Sequence, residues 1–144
     1  MPGQHDRIIQ IVDREVPRFQ RIKEKDAAAK SSPEKWSRKE ILGHLIDSAS
    51  NNHQRFVRAQ LTEELVFPGY TQNDWVRIEG FADEAWKDLV GLWSAINRHL
   101  AHVISRIPPS RLSSRCRIGE NAPMTVEALI ADYIKHMEHH LEQI

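Results

Sequence analysis

Two histidines, His136 and His140, stand four residues apart inside an apolar repeat that runs from Val126 to Ile144. At about 100° per residue, positions four apart differ by only about 40° around a helix axis, so both imidazoles leave the same side and can converge on one ion. His139 points well away from that direction. Two imidazoles make half a metal site. A third protein ligand would leave a fourth position open to water or substrate, which separates a catalytic zinc site from a closed structural one. Asp132, one turn before His136, is placed to accept that residue's second ring N–H and fix its tautomer. A single H-x-x-x-H is more often a pair of core or rim histidines, but two on one apolar stripe beside a carboxylate favour the ligand reading.

The third ligand has to come from another element. Ser37 with Glu40 three residues on forms a capping box, in which the serine oxygen and the glutamate each satisfy a free amide at a helix start. The helix it opens is expected to run to about Leu61, with Leu42, Leu45, Ile46, Ala49, Phe56 and Val57 on its apolar side. On this wheel His44 lies on the flank and His53 nearer the middle, so periodicity rates the two evenly. The His44 side also carries Ser48, Asn51 and Arg55, a polar strip that either lines a pocket or faces water. Asn51 and Asp47 are the pocket candidates. His5, His99 and His102 show no supporting pattern.

Other reactive types carry less. Cys116 is a lone cysteine with no base predicted beside it, and its role is open. Arg55, Arg77, Arg115 and Arg117 are candidates to hold a carboxylate or a thiol cofactor, each otherwise an ordinary surface charge. Trp36, Trp75, Trp86 and Trp93 are most simply core or loop anchors. No general base can be named.

The remaining elements follow from period and punctuation. Ile8, Ile11, Val12, Val16, Phe19 and Ile22 predict a first helix from His5 to about Lys25, kinked or divided at Pro17. Residues 26–35 read as a linker. Residues 62–82 lose the helical pattern and read as a long functional loop over one end of the fold. Asp83 is the expected cap of a third helix, in which Trp86, Leu89, Val90, Trp93, Ile96, Leu100 and Ile104 repeat until Pro108 and Pro109 stop it. Residues 111–123 read as a second loop with a short extended piece at 115–118, and Thr125 caps the fourth helix. The expected fold is therefore all-α, a four-helix bundle with two long loops and no convincing strand, forming one domain over residues 1–144.

Composition narrows the function classes. Twenty acidic and twenty basic residues cancel, which leaves no electrostatic footprint for nucleic acid or an anionic membrane. No stretch approaches the roughly 18 apolar residues of a membrane span, and the N-terminal segment lacks the pattern of a secretion signal. One cysteine makes no internal disulfide, so the cytoplasm is the expected location.

Three stretches together resemble the DinB-like superfamily: Trp36 to Ser48 (WSRKEILGHLIDS), Phe67 to Trp75 (FPGYTQNDW) and Asp132 to Ile144 (DYIKHMEHHLEQI). The resemblance implies an up-down-down-up bundle and a divalent metal held by one histidine of the second helix and two, four apart, of the fourth. Those roles fall on His44, His136 and His140, which separates His44 from His53. It also implies a metal-dependent enzyme that activates a water or a low-molecular-weight thiol, of the thiol transferase or hydrolase type, acting on a small molecule. Zinc is the first expectation for the ion, with nickel, iron and manganese also suited to imidazole. A homodimer through an apolar helix face is a further expectation. The rival readings are a non-catalytic metal- or ligand-binding module and a plain helical interaction protein.

Overall fold

The computed structural model describes residues 3–144. Four long helices form its frame: α1 (Gln4–Gln20), α3 (Arg38–Ala59), α5 (Trp86–Ser105) and α6 (Val126–Leu141). Two shorter ones, α2 (Glu24–Ala28) and α4 (Gln72–Glu79), sit in the connections. Helix α3 packs against both α5 and α6, and α1 closes the other side of the same pair. No described helix is long and apolar enough to cross a membrane.

Two of the three caps that sequence predicts are formed. Glu40 N donates to Ser37 Oγ at 3.2 Å and Ser37 N donates back to Glu40 Oε1 at 3.0 Å, and Ala128 N donates to Thr125 Oγ1 at 3.1 Å. Helix α5 departs from expectation, because its cap residue is Ala85 and Asp83 belongs to a short 3-10 turn, Phe81–Asp83. The free amide of Trp86 donates instead to Glu24 Oε2 of α2 at 3.0 Å, a cap brought in from another element. Pro17 does not divide the first helix. The helix continues through it to Gln20 without the one bond that Pro17 cannot donate to the Asp13 carbonyl, and the chain breaks after Gln20 before starting α2.

The expectation of no strands is corrected by a small three-stranded sheet. β1 (Glu64–Phe67) pairs in parallel with β2 (Arg115–Ile118), which pairs antiparallel with β3 (Met124–Thr125). The extended piece at 115–118 is thus a central strand. The stretch read as one loop, 62–82, holds β1, α4 and the 3-10 turn, and α4 ends at Gly80 with φ 67°, a left-handed position suited to glycine. Strands of four and two residues give too few repeats for alternation to register in sequence.

The core centres on Trp93, Phe19 and Phe56, all fully buried. Phe19 meets Trp93 and Trp86 edge-on at 5.3 and 5.6 Å between ring centres, and Trp86 Nε1 donates to the Phe19 carbonyl at 2.8 Å. In α3 every residue from Ile41 to Ala49 is buried, polar ones included. The reason is its place: α3 is covered by α5 and α6 on one side and by α2, α4, β1 and the 3-10 turn on the others. A flank position on this helix is an interior position.

Candidate metal centre

His44 comes from the buried first half of α3, and His136 and His140 from the last two turns of α6. One nitrogen from each ring lies within 4.8 Å of the others. His44 Nε2 and His136 Nε2 are 3.2 Å apart, and ring centres are separated by 5.1 Å (His44–His136), 4.8 Å (His44–His140) and 4.5 Å (His136–His140). Ligand nitrogens about 2.0–2.1 Å from a tetrahedral ion sit roughly 3.3 Å apart, so His44 and His136 stand at coordination spacing, with the His140 nitrogen within 4.8 Å of both. The chemistry of the donor set also fits. Burial, and after it the neighbouring His136 and His140, pushes the His44 pKa down to about 3. Burial likewise lowers His136 and His140, against the pull of Asp132 on the former and of the hydrogen bond that His140 donates to Gln143 on the latter. All three rings are therefore neutral near pH 7, with lone pairs free for a cation.

Two neighbours fix the ring orientations. The indole of Trp36 lies against His44, 5.0 Å between centres, and His140 Nδ1 is 3.1 Å from Gln143 Oε1. With Nδ1–H donating to that amide oxygen, Nε2 of His140 is left as the free donor atom. Asp132, expected to support His136, is exposed and forms no hydrogen bond with it. Gln143 fills the supporting role, on His140. Its position three residues after the histidine at a helix end was a legible signal that sequence reasoning passed over.

His53 sits elsewhere, with its ring centre 5.3 Å from that of His99 on α5, and takes no part in the cluster. His139 is exposed. Cys116 is fully buried, and burial raises its thiol pKa, so it is no ready nucleophile. Asp47 is 2% exposed, and burial together with Glu79 drives its pKa upward, which holds a neutral acid one turn beyond His44. Asn51 turns its amide back onto the Asp47 carbonyl at 2.9 Å. Among the four candidate arginines, Arg55 alone is buried.

A cavity of about 560 Å³ opens beside the cluster, walled by Trp36, Ile41, Gln72, Asn73 and Gln143. It touches the cluster only through two of these, Trp36 and Gln143, which lie against His44 and His140; none of the three histidines lines it. A larger cavity of about 1030 Å³ between α1 and α5 shares no residue with the cluster.

The comparisons with known proteins agree with this geometry. A search of curated proteins finds no match. Among solved structures, YfiT from Bacillus subtilis, described as a probable metal-dependent hydrolase with an unusual four-helix bundle topology, superposes with a TM-score of 0.77 at 17% identity, over 95% of this chain and 81% of its own. At that identity the likeness shows a shared fold. The family model of the DinB superfamily matches residues 12–144, nearly the whole chain including all three clustered histidines, and the chain belongs to that superfamily.

Proposed function

We propose that His44, His136 and His140 hold one divalent metal ion, zinc first, and that the protein is an enzyme acting on a small molecule by attack of a water or a small thiol. The observation that carries the reading is the convergence of three neutral imidazoles from two helices to within 4.8 Å, beside an open cavity. YfiT, which shares the fold, is described as a probable metal-dependent hydrolase, and this favours the hydrolytic branch.

When bound, the ion lowers the pKa of water or a thiol toward neutrality and polarises a substrate oxygen. The protein's part is position and environment. The α3 backbone holds His44 rigidly and Trp36 limits its rotation, while Gln143 sets the His140 tautomer. Among the described residues the three histidines are the donors gathered there, which leaves room for a reacting molecule. In the neighbouring cavity Trp36 and Ile41 give an apolar side, and Glu34, Lys35, Gln72, Asn73 and Gln143 a polar and charged one.

The test is metal content by mass spectrometry on tag-free protein purified without chelator, beside a folded His136→Ala/His140→Ala variant. Near-stoichiometric metal in the parent and none in the variant is the expected result, followed by a screen of hydrolysable esters and amides and of thiol–electrophile pairs. A parent that stays empty even with added zinc, nickel or manganese would falsify the metal reading.

A further inference from the structure

Four buried side-chain polar atoms have no hydrogen-bond partner among the described residues: His44 Nδ1, Asp47 Oδ2, Arg55 Nε and Trp93 Nε1. Three of the four lie on α3, on the face that starts at the metal centre. Positions 44, 48, 51 and 55 fall within about 60° of one another around a helix axis, so His44, Ser48, Asn51 and Arg55 form one line. All are buried. Buried polar atoms are nearly always satisfied, and a cluster of exceptions along one helix face marks a surface built to meet something other than protein.

Arg55 is the strongest of these exceptions. It is 8% exposed, yet it takes part in none of the ion pairs and donates none of the hydrogen bonds among the described residues. The other buried charges are all provided for. Lys39 Nζ meets Glu24 Oε1 at 2.6 Å, Glu15 is held by Arg14 and Arg18, and Asp47 avoids charge by keeping its proton. An arginine cannot take that last route, since it stays protonated in any folded protein. Its surroundings are the Phe67 ring, with Cζ 5.7 Å from the centre, and the neutral Tyr70 and Cys116. Only Nε is enclosed without a partner; the two terminal nitrogens reach the surface, where a ligand's carboxylate can meet them as a charge-assisted pair.

We propose that Arg55 anchors a carboxylate of the small molecule on which the three-histidine centre acts, with the polar line of α3 from His44 to Arg55 setting the separation between anchor and reactive end. A single fork-shaped cation with neutral neighbours matches one carboxylate, held bidentately, better than a dianionic phosphate. Eleven residues of helix separate the Cα atoms of His44 and Arg55 by roughly 16 Å along the axis, and a helical side chain leans back toward the N-terminus. The distance from anchor to imidazole is then roughly 10 Å, which suits an extended molecule of about six to eight bonded atoms between its carboxylate and its reactive end. The inference rests on the metal-centre reading only for where that reactive end lies.

Two measurements test it. The first is the melting temperature of metal-free Arg55→Met. An arginine kept for a ligand leaves the free protein as stable or more stable when replaced, whereas a fall of more than about 5 °C shows a structural arginine and overturns the proposal. The second compares 6-mercaptohexanoate with 6-mercaptohexanol on zinc-loaded protein by calorimetry. In the parent the acid binds about 10- to 100-fold tighter than the alcohol, and in Arg55→Met and Arg55→Gln the ratio falls to near one. A ratio near one in the parent, or one kept in both variants, overturns the anchor. Displacement of the acid by inorganic phosphate at lower concentration than by acetate overturns the carboxylate assignment. If the parent takes up no zinc, or neither thiol binds the zinc-loaded protein, the thiol comparison does not decide. Hexanoate against hexanol on the metal-free protein then decides for Arg55 alone: an acid preference that Arg55→Gln abolishes supports the anchor, and no preference overturns it.

Discussion

Adding one methyl group at Gly43 tests how closely the 3-10 turn is pressed onto α3 beside the metal centre. A Cβ at this position would stand 2.2 Å from both Cγ and Cδ2 of Phe81 and 2.8 Å from its Cβ. Carbon atoms pack at about 3.5–4.0 Å, so the overlap exceeds an ångström. Phe81 is 3% exposed, and the clashing atoms lie at the root of its side chain, where changing rotamer frees little. Such overpacking costs about 3 kcal/mol, the upper end of its usual range. Against this, alanine is favoured over glycine inside a helix by about 1 kcal/mol. The net expectation for Gly43→Ala is a loss of about 2 kcal/mol, which for 144 residues lowers the melting temperature by about 7 °C. Urea and thermal unfolding of the metal-free protein measure it. Phe81→Ala costs about 3–4 kcal/mol alone, through the cavity it leaves, but it removes the two 2.2 Å contacts and keeps only the 2.8 Å one at Cβ, so in that background Gly43→Ala costs about 1 kcal/mol or less. A Gly43→Ala protein that melts higher than the parent would mean that helix propensity dominates and that Phe81 does not press on α3, and the reasoning would be refuted.

Three further expectations concern the site and the core around it. Gln143→Ala frees His140 to rotate and weakens zinc binding about 10- to 100-fold, with the fold intact by circular dichroism; unchanged affinity in a chelator competition would remove Gln143 from the centre. In the metal-free protein, His44 has a folded pKa of about 3, below its unfolded value of about 6.5. The unfolded chain therefore takes up the proton first, and stability present above pH 6.5 declines as the pH falls toward 3. The His44 share is about 2 kcal/mol by pH 5, read as the difference in pH dependence between parent and His44→Asn. Equal acid sensitivity of the two proteins would show that His44 is not held neutral. Tyr133→Phe removes the 2.5 Å bond that the phenol donates to fully buried Asn97 Oδ1, and urea melts should show a loss of about 1–3 kcal/mol, with Tyr133→Phe/Asn97→Leu less affected than the single change.

The histidine pair of α6 and both side-chain caps were legible in the sequence because each depends on neighbours within one helical turn. His136 and His140 share a face wherever a helix forms, and Ser37 and Thr125 cap whatever follows them. The four long helices were legible for the same reason, since apolar repeats of three and four residues persist through each. Short elements were not. β1 and β2 pair residues about fifty positions apart, as in Glu64 with Arg115, and their existence depends on that partner more than on their own four residues. Glu24 capping α5 belongs to the same class, a local need met from a distant place.

The third histidine shows most clearly where sequence stops. On a helical wheel, His44 sat on a flank and His53 nearer the apolar centre, and only the family resemblance separated them. In the folded chain α3 is wrapped on nearly all sides, which makes the flank at His44 interior and aims it at α6, while His53 lies beside His99. The same wrapping turned the strip through Ser48, Asn51 and Arg55 from an ambiguous polar face into a buried one. Periodicity reports which side of a helix is apolar, because that follows from one chain segment. Which sides are covered depends on how many neighbours the helix has, and that is a property of the assembled fold alone.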